Sequence, residues 1–167
     1  MEISVTAVKE LREQCGAGVM ECRNALLEAE GNLDRALAIL KEKGLAKAKN
    51  KADRATGQGL IEAYIHTGGR IGAMIEINCE TDFVARTSEF KELAHNLAMQ
   101  VAAMPPLCIS KKEFPKETDM EPEAACLLLQ PYIKNPDKTI QDTVTEAVAK
   151  VGENIRIKRF VRFEIGE

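Results

Sequence analysis

The sequence predicts an α+β protein. It divides into a three-helix segment over residues 1–44, a basic helical linker over 45–56, and an α+β core over 57–167 with a small antiparallel sheet packed by helices. Three observations carry this prediction. Apolar residues recur at helical spacing as far as Leu40, punctuated by Gly16, Gly31 and Gly44. The period then changes to alternation after Thr56-Gly57-Gln58-Gly59. Alternation returns from Ile155 to the C-terminal end.

Ser4 is an N-cap for a first helix carrying Val5, Val8 and Leu11, which stops at Cys15-Gly16-Ala17-Gly18. A second helix from about Val19 to Glu30 turns Cys22, Leu26 and Ala29 inward and ends at Gly31. Asn32 caps a third, with Leu33, Ala36, Leu37 and Leu40 inward and Gly44 as its stop. Helices this short make a marginal domain with a small core. Lys41 to Arg54 holds Lys41, Lys43, Lys47, Lys49, Lys51 and Arg54 against Glu42 and Asp53, so it is expected to be a helical, solvated connector.

In the core, Ile61, Ala63 and Ile65 alternate with Leu60, Glu62, Tyr64 and His66. After Thr67-Gly68-Gly69-Arg70, the residues Ile71, Ala73, Ile75, Ile77 and Cys79 alternate with Gly72, Met74, Glu76 and Asn78. That is an antiparallel hairpin with a Gly-Gly turn. Thr87 or Ser88 starts a helix with Phe90, Leu93, Ala94, Leu97, Ala98 and Val101 on one face, ended by Pro105-Pro106. Leu107 to Asp119 carries no clear period. Pro122 opens a short helix through Leu129, which the chain leaves at Gln130-Pro131-Tyr132-Ile133. Thr139-Ile140-Gln141-Asp142 has the form of a capping box with Asp in place of Glu. It opens a helix with Ile140, Val144, Ala147, Val148 and Val151 inward, stopped by Gly152. In the last strand Ile155, Ile157, Val161, Phe163 and Ile165 point one way, and Arg156, Lys158, Phe160 and Arg162 the other. Arg159 breaks the alternation and is a candidate bulge. Three strands are few for a sheet that stands alone, so the last strand is a candidate edge in need of a partner.

Composition narrows the function classes. The 167 residues are 45% hydrophobic and 29% charged, as in a globular protein. A net charge of −3, no Trp and two Tyr do not suit a generic nucleic-acid binder. No apolar run approaches the roughly 20 residues of a membrane span. The start, Met1-Glu2-Ile3-Ser4, lacks the pattern of a signal peptide, so a cytoplasmic location and no membrane partner are expected. Cys15, Cys22, Cys79, Cys108 and Cys126 are scattered without a CxxC pair. They are expected to be reduced thiols, mostly packed as small core residues, with no metal and no cofactor. His66 sits at a strand end and His95 off an apolar face. Without a P-loop, a nucleophile elbow or HExxH, and with Gly57-Gln58-Gly59 only a lead into a strand, no catalytic group is assembled.

One segment breaks the local rules. After Ile77-Asn78-Cys79 the chain reads Glu80-Thr81-Asp82-Phe83-Val84-Ala85-Arg86. The pattern allows an ordinary turn, with Asp82 as cap and Phe83-Val84 folded into the core. It equally allows a surface anchor, because a carboxylate beside an aromatic on a short connection has the make-up of a binding hot spot.

Cys79 through Arg86 strongly resembles the signature of the translation elongation factor Ts family. Val8-Lys9-Glu10-Leu11-Arg12 through Cys15-Gly16-Ala17-Gly18-Val19-Met20-Glu21-Cys22 is similar to its N-terminal signature. Gln130-Pro131-Tyr132-Ile133 and Val151 through Arg159 are similar to its C-terminal ones. The resemblance covers essentially the whole chain, in order. It implies a ubiquitin-associated-like three-helix domain at the N-terminus, and elongation factor Tu, a GTPase, as the partner. It implies exchange of GDP for GTP on that partner, with no covalent chemistry of its own, so the chain is not expected to be an enzyme. Thr81, Asp82, Phe83 and Val84 would be the partner-binding segment that dislocates Mg²⁺, with Phe83 as a wedge between two helices of the GTPase. Arg12, Val19 and Met20 would hold the partner from a second side; for Met20, core packing is the alternative. The chain looks like a short form of the family, a form associated with homodimers. Two other classes stay open. One is a ubiquitin-associated-like adaptor without exchange activity. The other is an RNA-binding translation accessory using Lys41 to Arg54 and the Arg156, Lys158, Arg162 face.

Overall fold

The computed structural model describes residues 3–166. Three helices open the chain: α1 (Val5–Cys15), α2 (Val19–Glu28) and α3 (Leu33–Lys51). The Ser4 hydroxyl accepts the Ala7 N–H, and the Asn32 side chain accepts that of Arg35, so both predicted caps form. Gly16 closes α1 in the left-handed region at φ 66°. Leu11, Cys22, Ala25, Leu26 and Ala36 are buried at the centre of this bundle, with Leu33, Leu37 and Leu40 packed against them. Val5 lies outside that core, exposed on the far face of α1.

The third helix does not stop at Gly44. It runs seven residues further, to Lys51, and the chain turns at Ala52. A helical Gly costs about 1 kcal/mol against Ala. Leu45-Ala46-Lys47-Ala48-Lys49 are strong helix formers, and Gly44 and Ala48 pack on the core side of the helix, which offsets that cost. α3 lies on α7 (Ile140–Val151) and is the rod that joins bundle to core. An open cleft of about 550 Å³ separates the α1–α2 end of the bundle from α7.

The core sheet has β1 (Gln58–Ile65), β2 (Ile71–Cys79) and β5 (Ile155–Glu164) in the antiparallel order β1-β2-β5. Gly68 and Gly69, at φ 93° and 68°, make the tight turn between β1 and β2. α4 (Asp82–Ala85) follows β2, and α5 (Ser88–Ala103) then packs across β1 and β2. Phe90, Leu93, Ala94, Leu97, Ala98 and Val101 are all buried, as their spacing predicts. The predicted capping box forms at α7, where the Thr139 N–H reaches Asp142 Oδ2 at 2.9 Å and the Asp142 N–H reaches Thr139 Oγ1 at 3.1 Å.

β5 departs from expectation past its bulge. Glu76 faces Arg159 while Ile77 faces Ile157, so Lys158 is the extra residue. An extra residue inverts the parity of every side chain beyond it. Ile155 and Ile157 face the core, and then Phe160 does. Val161, Phe163 and Ile165 turn to the opposite face, where they lie exposed with Ile61, Ile65 and Met74. The segment from Pro122 to Leu129 is also broken. α6 (Pro122–Ala125) ends at Cys126, and a 3₁₀ turn follows over Leu127–Leu129. A two-stranded hairpin, β3 (Pro131–Tyr132) with β4 (Asn135–Thr139), carries the chain into α7 and has no period-2 signal in the sequence.

Candidate functional site

α4 is one turn of helix at the end of β2, set at the corner where the sheet gives way to α5. Thr81 caps it, its hydroxyl accepting the Val84 N–H at 3.4 Å, and Asp82 adds a carboxylate to the first turn. Asp82 also meets Arg86 at 2.7 Å. Ala85 is buried and Val84 packs against the core cluster. Successive helical residues lie about 100° apart, so with that face inward Phe83 is turned outward. It is 78% exposed. Of the two outcomes the pattern allows, Phe83 takes the surface one and Val84 the partly buried one.

The turn that carries Phe83 is held at its base. The Cys79 thiol donates to the Thr81 carbonyl at 3.1 Å. Burial first, and then the Glu153 charge, raise its pKa above 9.0, which keeps the donor proton in place. The Glu153 carboxylate accepts the N–H groups of Glu80 and Thr81 at 3.1 and 2.9 Å and the Thr81 hydroxyl at 2.6 Å. Glu80 returns a bond, accepting the Asn154 N–H at 2.7 Å. Periodicity does not mark Glu153 and Asn154. They lie within the family-like stretch Val151 through Arg159, and the local signal is a Gly-Glu-Asn turn of polar residues between a helix stop and an apolar strand.

The N-terminal candidates sit on the bundle. Arg12 is exposed in the last turn of α1. Val19 and Met20 open α2 at 54% and 60% exposure, so Met20 is not a core residue. Arg12, Val19 and Met20 lie around the Gly16-Ala17-Gly18 loop, whereas Thr81 to Val84 belong to the core, with α3 as the connection.

The basic stretch is largely engaged within the chain. Lys43 pairs with Glu28 and Lys47 with Glu21, Lys51 donates to the Gly152 carbonyl, and Arg54 meets Glu80 at 3.6 Å. Arg156 donates to the Ala52 carbonyl, and Arg162 to that of Ala102. Among the described residues no group of three or more potential ligands gathers for a metal ion, and no helix is long and apolar enough to cross a membrane.

Comparison with known proteins agrees with the signatures. The sequence model of the family described as Elongation factor TS matches residues 21–124 and 119–167. A protein named Elongation factor Ts from Heliobacterium modesticaldum is 47% identical over 99% of this chain and 91% of its own length. One of the same name from Carboxydothermus hydrogenoformans is 48% identical over 99% of this chain and 90% of its own. A third, from Caldanaerobacter subterraneus subsp. tengcongensis, is 48% identical over 99% and 98%. The chain therefore belongs to the elongation factor Ts family.

Proposed function

We propose that this chain is the guanine nucleotide exchange factor of elongation factor Tu, working in the cytoplasm in protein synthesis. It binds the GDP-bound GTPase, opens the magnesium and nucleotide site, and lets GTP replace GDP. The observation that carries this is Phe83, a large apolar side chain left 78% exposed on a turn braced from below. Thr81 and Val84 hold that turn, Asp82 lies beside the wedge, and Phe83 enters the partner. Burying a Phe is worth about 1.5–3 kcal/mol, and each 1.4 kcal/mol is about tenfold in affinity. Phe83 alone thus weakens GDP only modestly, and loss of Mg²⁺ from the phosphates supplies the remainder. By linkage, GDP weakens this protein on the partner by the same factor, so the ternary complex sheds either ligand. Arg12, Val19 and Met20 hold the partner through the N-terminal domain, taken as residues 1–44.

The exposed outer sheet face, with Ile61, Ile65, Met74, Val161 and Phe163, is the surface through which a second copy of the chain would pair. The decisive experiment for exchange is release of a fluorescent GDP from the matching elongation factor Tu, with and without this protein. Acceleration is expected. Binding without acceleration would favour an adaptor instead.

A further inference from the structure

We propose that Glu153 is a positioning residue for exchange, whose carboxylate fixes the turn presenting Phe83; this rests on reading Phe83 as the wedge. Glu153 comes from the α7–β5 turn, far along the chain from the segment it holds. One of its oxygens accepts the N–H groups of Glu80 and Thr81, and the other accepts the Thr81 hydroxyl at 2.6 Å. That hydroxyl accepts the Val84 N–H in turn. A chain of bonds therefore runs from Glu153 through Thr81 to the residue after Phe83. Donors thus converge on both carboxylate oxygens, three bonds on one side chain.

The physical need is plain. α4 has four residues and little internal bonding to stiffen it. An exposed side chain on such a helix pushes on a partner only as hard as its base resists. The base also ties to the helical arm. The Asn154 amide donates to the Ala52 and Arg54 carbonyls at 3.2 and 2.9 Å, where α3 has just ended. One turn, Glu153-Asn154, thus fixes both the wedge and the end of the rod that leads to the N-terminal bundle.

The test uses Glu153→Gln in the full chain, which keeps size and replaces one acceptor by a donor. In the free protein, amide exchange at Glu80 and Thr81 is expected to rise about tenfold, because native amide exchange reports local opening. With elongation factor Tu, the exchange rate at saturation is expected to fall about tenfold, as small misplacements of positioned groups do. In a Phe83→Ala background the same change is expected to add no loss, because both act through one group. Thr81→Val, which removes the hydroxyl and with it both the bond to Glu153 and the cap on Val84 while leaving the Glu80 and Thr81 N–H bonds, is the second variant should Glu153→Gln not fold, with a smaller loss expected and the same failure to add. If Phe83→Ala slows exchange but neither Glu153→Gln nor Thr81→Val does, or if their losses add to that of Phe83→Ala, positioning by Glu153 is overturned and the wedge stands. If Phe83→Ala leaves exchange unchanged, the wedge itself falls and the proposal with it. Unchanged amide exchange at Glu80 and Thr81 overturns the brace whatever the partner does.

Discussion

Replacing Phe83 by Ala separates the roles of a core residue and a wedge. The side chain is 78% exposed in the free chain, so about a fifth of its surface is at stake in folding. Against about 1.5–3 kcal/mol for a fully buried Phe, the folded state loses about 0.5 kcal/mol. For a chain of this size that is a fall of about 1–2 °C in Tm. The exposed remainder is available to the partner, and burying it is worth about 1–2.5 kcal/mol on the same scale. Converted at 1.4 kcal/mol per decade, the variant's stimulated GDP release should be about 5- to 60-fold slower. The assay is stopped-flow release of fluorescent GDP from elongation factor Tu at saturating exchange factor, paired with a thermal melt of the variant alone. Wild-type release rates would refute the reasoning. So would a fall in Tm of more than about 5 °C, because Phe83 would then be contributing to the fold far more than its exposure allows.

Met20→Ala, at a position 60% exposed, should weaken binding to elongation factor Tu by calorimetry while Tm holds; unchanged affinity would remove Met20 from the interface. Phe163→Asp, at a position 70% exposed on the outer sheet face, should convert a dimer to a monomer by light scattering at micromolar concentration; a wild-type chain already of monomer mass would sink the pairing. Gly59→Ala places a Cβ 2.1 Å from the Ile77 carbonyl at φ 152° and should lower stability by about 1–3 kcal/mol, read by urea unfolding. Burial first, and then the neighbouring Cys15 thiol, push the Cys22 pKa from 9.0 up to about 11. The folded state therefore binds that proton more tightly than the unfolded one, and stability is lost as pH rises from 9.0 through about 11. Unfolding curves of wild type and Cys22→Ala should converge over that range, and curves that stay parallel would count against it.

The helices of the bundle, the β1–β2 hairpin, the inner face of α5 and the capped start of α7 were all legible in the sequence. Each of these is written in a local signal: a cap, a glycine turn, or a period of 3.6 or 2. The sequence also marked Thr81 to Val84 as unusual, through residue types that a plain turn does not need. Tertiary structure decided the rest, for reasons the chain cannot state locally. α3 passes Gly44 because helix formers follow and its far half packs on α7, outweighing a glycine. Val161, Phe163 and Ile165 leave the core because one unpaired residue, Lys158, inverts the parity of β5. Phe83 stands in solvent because Val84 and Ala85 take the inward face of a single helical turn. The brace beneath that turn comes from Glu153, whose three bonds reach residues more than seventy positions away. Periodicity reports which face a residue takes within its own element. It carries nothing about which distant carboxylate will meet a turn's unpaired N–H groups, and only folding brings those together.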